Sequence, residues 1–178
     1  DKGVPAVVGT TGLSDNDRQK LVEFAKKVAI VFAPNMSVGM NLLFKLVAET
    51  ARVLGLDYNV EVVEIHHNQK KDSPSGSAIR LAEKACNELG ISYPEQSVHG
   101  RQGIVGARPR EEIGVHAVRG GDVTGDHTVL FLGKGERLEL THRAHSRDTF
   151  AAGALRAARF VVTAQPGLYD MQDVLGLR

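Results

Sequence analysis

The chain has 178 residues, enough for one domain and a remainder or for two small domains, and too few for a large two-domain enzyme. Lys and Arg number 22 against 21 Asp and Glu, a formal net charge of +1 with no block of five or six like charges, which argues against a polybasic binder of nucleic acid or membrane surfaces. Three Tyr, six Phe and no Trp leave few platforms for stacking bases, while 42% hydrophobic and 24% charged residues are those of a globular chain that fills a core.

The single cysteine, Cys86, has no intrachain disulfide partner, and no run approaches the roughly 18 apolar residues of a membrane span. The expectation is a soluble, cytoplasmic protein. No secretory signal is expected either, because Asp1 to Pro5 lead straight into a strand-like run. The chain opens on Asp rather than Met, which reads as a cut with something upstream missing.

In chain order, residues 5–12 form an apolar run followed by small and hydroxyl residues, the pattern of a buried strand ending in a loop. Ser14 and Asp17 make an S-x-x-D box for a helix with Leu21, Phe24, Ala25 and Val28 on one face. Ala29 to Ala33 reads as a second buried strand, broken at Pro34. Such a unit is half of a doubly wound sheet. Val38 to Leu54 has helical spacing with Gly55 as a stop, Asn59 to His67 reads as a strand, and Gly76 to Leu89 is helical again, stopped by Gly90. Residues 91–110, rich in Gly and Pro, form a long loop. Ile113–Arg119, Val123–Leu132 and Glu136–His145 suggest an antiparallel meander, with Leu138, Leu140, His142 and Ala144 on one face. Asp148 to Thr163 is an alanine-rich helix, Gln165 to Gly167 breaks it, and Tyr169 to Leu175 adds a short helical turn.

The densest polar stretch runs from Glu64 through His66, His67, Lys70, Lys71 and Asp72 to Ser75, Gly76 and Ser77. It leads from a strand end through a loop into a helix N-terminus, where unpaired N–H groups and the helix dipole attract an anion. With His67 and Lys70 facing Gly76 and Ser77, a small carboxylate could be held from two sides. The plainer alternative, a helix capped by Ser75 beside solvated lysines, stays open. His66 and His67 admit a proton-transfer pair or ordinary polar histidines. A shared metal is disfavoured because neighbours in a strand face opposite ways and no ligand set falls at metal spacing, so the expectation is no metal. There is no G-x-S-x-G, no phosphate loop and no G-x-G-x-x-G, and Cys86 falls where a buried, inert thiol is expected.

Taken together, these residues resemble the 4-hydroxy-tetrahydrodipicolinate reductase (dihydrodipicolinate reductase) family. The long signature is His66-His67-x-x-Lys70-x-Asp72-x-Pro74-Ser75-Gly76-Ser77-Ala78. In the same order fall Gly9-Thr10-Thr11-Gly12, Ala33 to Gly39, Arg119 to Asp122 with Gly125, His127 and Thr128, and Ser146-Arg147 with Phe150. The resemblance implies an α/β fold: a remnant of a doubly wound, Rossmann-like dinucleotide domain plus an α+β substrate and oligomerisation domain with a mixed, partly antiparallel sheet. The implied domains are 1–36, the end of the dinucleotide domain; 37–146, for substrate and oligomerisation; and 147–178, returning to the dinucleotide domain.

The resemblance further implies His66 as proton donor and acceptor and Lys70 as second proton donor. His67, Gly76 and Ser77 would hold the carboxylates of a small cyclic dicarboxylate substrate; Ser77 replaces the family's usual threonine and keeps its hydroxyl. Gly9, Thr10, Thr11, Ala33, Pro34, Asn35 and Met36, with Arg147 and Phe150, would contact NADH or NADPH. The family's opening strand and Gly-rich pyrophosphate turn are absent from the sequence, so the 178-residue chain alone is expected to show little turnover. A homotetramer through the substrate-domain sheet is implied, with no nucleic-acid or membrane partner. Two alternatives are a non-catalytic assembly or dicarboxylate-binding module and, more remotely, a histidine-ligated metallohydrolase.

Overall fold

The computed structural model describes residues 3–178; Asp1 and Lys2, at the start of the run read above as a cut, lie outside them. The element order is β1 (Ala6–Val8), α1 (Asp15–Ala25), β2 (Ala29–Phe32), α2 (Val38–Leu54), β3 (Asn59–His66), α3 (Gly76–Leu89), α4 (Tyr93–Gln96), β4 (Ser97–Val98), β5 (Ile113–Arg119), β6 (Gly125–Leu132), β7 (Arg137–Ala144), α5 (Asp148–Thr163), β8 (Gly167–Tyr169) and α6 (Met171–Leu175). These elements fall into two compact units: residues up to Leu42 with Arg147–Arg178, and Leu43–Ser146.

The first unit is built on a parallel three-stranded sheet ordered β1-β2-β8, with Val8 opposite Phe32 and Ile30 opposite Leu168. Helix α1 packs against β2 and β8, and α5 against β1 and β2. The S-x-x-D box operates as expected, since Ser14 Oγ accepts the Asp17 N–H at 3.2 Å and donates to its carboxylate at 2.7 Å. Ala29, Val31, Met36, Ala157, Val161 and Met171 make the apolar core. Strand β1, expected to be buried, is only half-buried because it lies at the sheet edge. Tyr169 ends a strand that the sequence pattern did not announce, and the short helix that follows starts at Met171 under an Asp170–Asp173 capping box.

The second unit holds a five-stranded mixed sheet ordered β4-β5-β3-β6-β7. The expected three-strand meander is not what forms: β5 pairs in parallel with β3, and β3 separates it from β6, so only β6 and β7 make a hairpin. The reason lies in burial. Strand β3 is apolar enough to occupy the centre, with Val60 and Val62 sealed from solvent, and a buried central strand takes a neighbour on each side. One sheet face carries Val60, Val62, Ile113, Val115, Val129 and Phe131, each at most 1% exposed, together with Glu64, His66 and His127. Helix α3 lies on this face, its N-terminus bonded to Glu64 and His127 and its C-terminus closed by Gly90 in the left-handed conformation at φ 68°. The opposite face carries Glu61, Val63, His116, Val118 and Thr128.

The segment read as a featureless loop contains α4 and the short β4, and its remainder is tied to the sheet by arginines. Arg101 and Arg108 both reach the carboxylate of Glu61, at 2.7 and 2.9 Å, and His116 joins it at 2.7 Å. Arg101 also bonds Glu112, and Arg108 bonds the carbonyls of Val60 and Glu112. These cations hold Glu61 at a pKa of about 2 against the opposing effect of burial. Between the anchors, the tip residue Ile104 projects fully into solvent.

Candidate active site

The candidate site begins with strand alternation. On β3, Val60, Val62, Glu64 and His66 share the covered face, which brings a carboxylate and an imidazole into the core side of the sheet. Glu64 is completely buried and uses every acceptor position it has. Its Oε2 meets His66 Nδ1 at 2.5 Å and Arg119 Nη1 at 2.7 Å, and its Oε1 accepts the Ser75 N–H at 2.9 Å and Arg119 Nη2 at 2.7 Å. Burial alone would raise its pKa, but the His66, Arg119 and Ser75 donors win and lower it to about 2.

The Ser75–Glu64 bond spans eleven residues and seats the start of α3 against the end of β3. Ser75 caps α3: its Oγ accepts the Ala78 N–H at 3.1 Å, lies 3.2 Å from His127 Nε2, and the first i to i+4 bond runs from Ile79 N–H to Ser75 O at 3.0 Å. The N–H of Gly76 comes ahead of both, at the positive end of the helix dipole. A Cβ at Gly76 would meet no atom within 4 Å, so a ligand can approach the backbone there. Ser77 follows, half-buried, in the first turn. Capping and anion binding are thus compatible rather than alternative, because Ser75 caps Ala78 and leaves the turn at Gly76 approachable.

The loop between β3 and α3 is itself fixed. His67 N–H bonds Val123 O at 2.8 Å, Asn68 N–H bonds Gly121 O at 3.2 Å, and Lys70 N–H bonds His67 O at 3.2 Å; the Ser73–Pro74 peptide bond is cis. Lys70 Nζ sits 3.0 Å from Asp72, which lowers the carboxyl pKa of Asp72. The structure therefore gathers His66, His67, Lys70, Gly76 and Ser77 onto one strand end, one loop and one helix start. Lys71 is exposed in the same loop.

The expected cofactor residues occupy the first unit. Loops leave the carboxyl ends of adjacent parallel strands β1 and β2, joined by the Ala33 N–H to Val8 O bond at 3.1 Å, and this is the sheet edge where open α/β folds bind ligands. Gly9, Thr10 and Thr11 are exposed there, as is Pro34. A Cβ at Gly9 would lie 3.5 Å from Met36 Cε, so the two loops touch. Ala33 and Met36, however, are core residues at 4% and 6% exposure, so their side chains serve packing and only their backbone can face a ligand. Asn35 organises the turn, with Oδ1 on the Ser37 N–H at 2.9 Å and its carbonyl accepting from Asn41 Nδ2 at 2.8 Å. Gly153 lets α5 press against Met36 O, which a Cβ would meet at 1.8 Å; Phe150, one turn earlier, shares that helical face, and Arg147 is exposed just before α5.

Glu64, Ser75, Arg119, Gly125 and His127, which the sequence places in motifs without giving them this role, form the support beneath His66. His127, 4% exposed, stacks edge-on to His66 with ring centroids 5.1 Å apart, and its pKa falls to about 3, chiefly through burial and then through the neighbouring His66. The available signal was Glu64 in register with Val60 and Val62 on an alternating apolar strand, since a carboxylate on a core face demands partners. Cys86 is 1% exposed with its thiol pushed up to about 11, a buried and unreactive sulfur. Among the described residues no three His, Cys, Asp or Glu side chains are grouped to hold a metal, and no helix is long and apolar enough to cross a membrane.

Fold and site together define a class: a protein with one unit of dinucleotide-binding topology and another whose helix terminus, histidines and lysine suit a small anion. Comparison with known proteins narrows that class. The dihydrodipicolinate reductase C-terminus matches residues 39–175 and the dihydrodipicolinate reductase N-terminus matches residues 1–36, so the chain belongs to the dihydrodipicolinate reductase family. The 4-hydroxy-tetrahydrodipicolinate reductase of Citrifermentans bemidjiense is 53% identical over 176 residues, 99% of this chain and 66% of that protein. That of Syntrophotalea carbinolica is 53% identical over all 178 residues and again 66% of its own length. A dipicolinate-bound dihydrodipicolinate reductase from Paenisporosarcina sp. TG-14 superposes with a TM-score of 0.71 at 28% identity, covering 96% of this chain and 64% of that one. The chain thus spans slightly less than two thirds of the length of these relatives.

Proposed function

We propose that the protein carrying this chain reduces 4-hydroxy-tetrahydrodipicolinate to tetrahydrodipicolinate with NADH or NADPH, in the cytoplasm, in the diaminopimelate route of lysine biosynthesis. The observation that carries the reading is the Ser75–Glu64–His66 linkage, which brings a protonatable ring and an anion-attracting helix start into one hydrogen-bonded unit. Gly76, Ser77 and His67 hold the two carboxylates. Lys70 adds positive charge and acts as a second proton donor, while His66 gives or takes the proton that reduction requires. The loops Gly9–Thr11 and Ala33–Met36 suit the nicotinamide end of the cofactor, since the exposed Gly9, Thr10, Thr11 and Pro34 at two adjacent strand ends leave its approach open, and Arg147 and Phe150 come just before and in the first turn of α5, whose Gly153 packs on Met36. When bound, the reduced nicotinamide supplies a hydride to the substrate ring, and water is lost.

Calorimetric titration with pyridine-2,6-dicarboxylate tests the site. Loss of one charge-assisted hydrogen bond removes about 1.5–3 kcal/mol, so Lys70→Ala and Ser77→Ala should each weaken binding tenfold or more. Unchanged affinity in both variants would show that the anion binds elsewhere.

A second reading, that the chain acts only in assembly or as a dicarboxylate-binding module, is favoured by the sheet face opposite α3, where Val118 of β5 is 46% exposed and Thr128 and Thr141 bond across β6 and β7. The two readings share a prediction, a homotetramer built through this sheet. Light scattering of the chain should give four times the monomer mass; a monomer at high concentration would remove the assembly role.

A further inference from the structure

Glu64 receives four hydrogen bonds from three residues, and their arrangement decides the chemistry of His66. A carboxylate with a pKa of about 2 is ionised at neutral pH and can only accept, so at the 2.5 Å contact His66 Nδ1 must carry the hydrogen. The other ring nitrogen, Nε2, bonds to no group among the described residues, and His66 keeps 8% of its surface exposed. Beside Nε2 stands Gly125, where a Cβ would lie 3.0 Å from Nε2 and 3.3 Å from Cδ2. Any larger residue would crowd the one atom of His66 that remains open.

We propose that Glu64 is the positioning residue of the candidate site: it fixes the His66 hydrogen on Nδ1 and orients the ring so that Nε2, in the clearance kept by Gly125, is the atom that exchanges a proton with a bound dicarboxylate. The proposal rests on the reading of His66 as the proton carrier. Arg119 completes it. Its two terminal nitrogens grip both oxygens of Glu64 and also bond the carbonyls of Val118, at 2.8 Å, and Asp72, at 2.9 Å, so the carboxylate plane cannot rotate without breaking a bidentate pair. Hence the same carboxylate that orients His66 also holds, through Ser75, the helix start that attracts the substrate anion.

The geometry makes Glu64→Gln a directed test. Oε1 faces two donors that cannot change role, Ser75 N–H and Arg119 Nη2, whereas Oε2 faces one, Arg119 Nη1, and the His66 ring, which can switch; the amide oxygen therefore stays at Oε1 and the new NH2 group at the Oε2 position faces His66 Nδ1. A donor on Nδ1 forces the ring hydrogen to Nε2. The measurement is long-range proton–nitrogen correlation spectroscopy of the imidazoles, with His66 assigned from His66→Gln. The wild-type chain, which needs no variant to fold, should show hydrogen on Nδ1 and a bare Nε2 whose resonance shifts when pyridine-2,6-dicarboxylate is added. Glu64→Gln should show the hydrogen moved to Nε2. Gly125→Ala, which leaves Glu64 in place, should keep hydrogen on Nδ1 and lose the Nε2 response to the dicarboxylate. A wild-type hydrogen on Nε2, or one that stays on Nδ1 in folded Glu64→Gln, overturns the role of Glu64 whatever the chain binds. If the tautomers behave as stated but the dicarboxylate moves neither nitrogen, it is the substrate reading of the site that fails.

Discussion

Glu61 and Glu64 lie three residues apart on one strand with opposite orientations, and each is the centre of an ion-paired cluster. Glu64, on the covered face, lies at the candidate site; Glu61, on the other, holds the segment after β4 through Arg101 and Arg108 and also meets His116 of β5. The second cluster depends on one missing methyl group, because a Cβ at Gly114 would stand 1.7 Å from Glu61 Oε2. Gly114→Ala therefore pushes the carboxylate off its partners, and buried overpacking of this kind costs about 1–3 kcal/mol. The freed segment carries Arg101 and Arg110, so trypsin should cut after these residues several-fold faster than in the wild-type chain. Cleavage at the wild-type rate would show that other contacts hold the segment. In the sequence, Arg101 and Arg108 fall within the Gly- and Pro-rich stretch 91–110 that reads as a long loop. Their role was illegible because it depends on Glu61, about forty residues away and brought near only by the fold.

At the level of elements, the local signals were reliable where they depend on neighbours in sequence. Ser14, Ser75 and Gly90 mark helix ends by chemistry that acts within four residues: α1 starts after Ser14 and α3 runs from Ser75 to Gly90, whereas α1 ends at Ala25, short of the Val28 that the apolar spacing included. Helix α5 likewise follows its alanine-rich pattern. The order of strands was not legible in the same way. Alternation identifies β5, β6 and β7 as strands, but nothing within them tells that β3, about fifty residues earlier, inserts between β5 and β6. Strand β8 was missed because three residues, Gly167 to Tyr169, are too short to show a period; its pairing with β2 supplies what its own sequence lacks. The signature from His66 to Ala78 was legible as a unit for the opposite reason, since strand end, loop and helix start are contiguous in the chain.

Over the whole molecule, Glu61, Glu64, His127 and His142 all act in one direction with pH. Glu61 and Glu64 have folded pKa values of about 2, below the ordinary 4.5, so the stability they supply is complete above pH 4.5 and is lost as pH falls towards 2. His127 is held neutral with a folded value of about 3 against an ordinary 6.5, and burial lowers His142 too; the unfolded chain binds these protons first, so stability falls as pH drops below 6.5. One group contributes about 1.4 kcal/mol per pH unit, so His127 alone should cost on the order of 2 kcal/mol between pH 6.5 and 5. Urea midpoints should decline across that interval and more steeply below 4.5, and His127→Gln should flatten the upper part. A level midpoint from pH 7 to 5 would contradict the buried, neutral state of His127. The closure of the segment 67–74 has a different consequence. Its base is tied by the Ser75–Glu64 bond and its flank by bonds to Gly121 and Val123, so the freedom of those eight residues is given up once, when the chain folds. A ligand arriving at Gly76 would meet a segment whose ends are already tied down and need not be ordered on binding, which would favour tight binding of a molecule with few atoms.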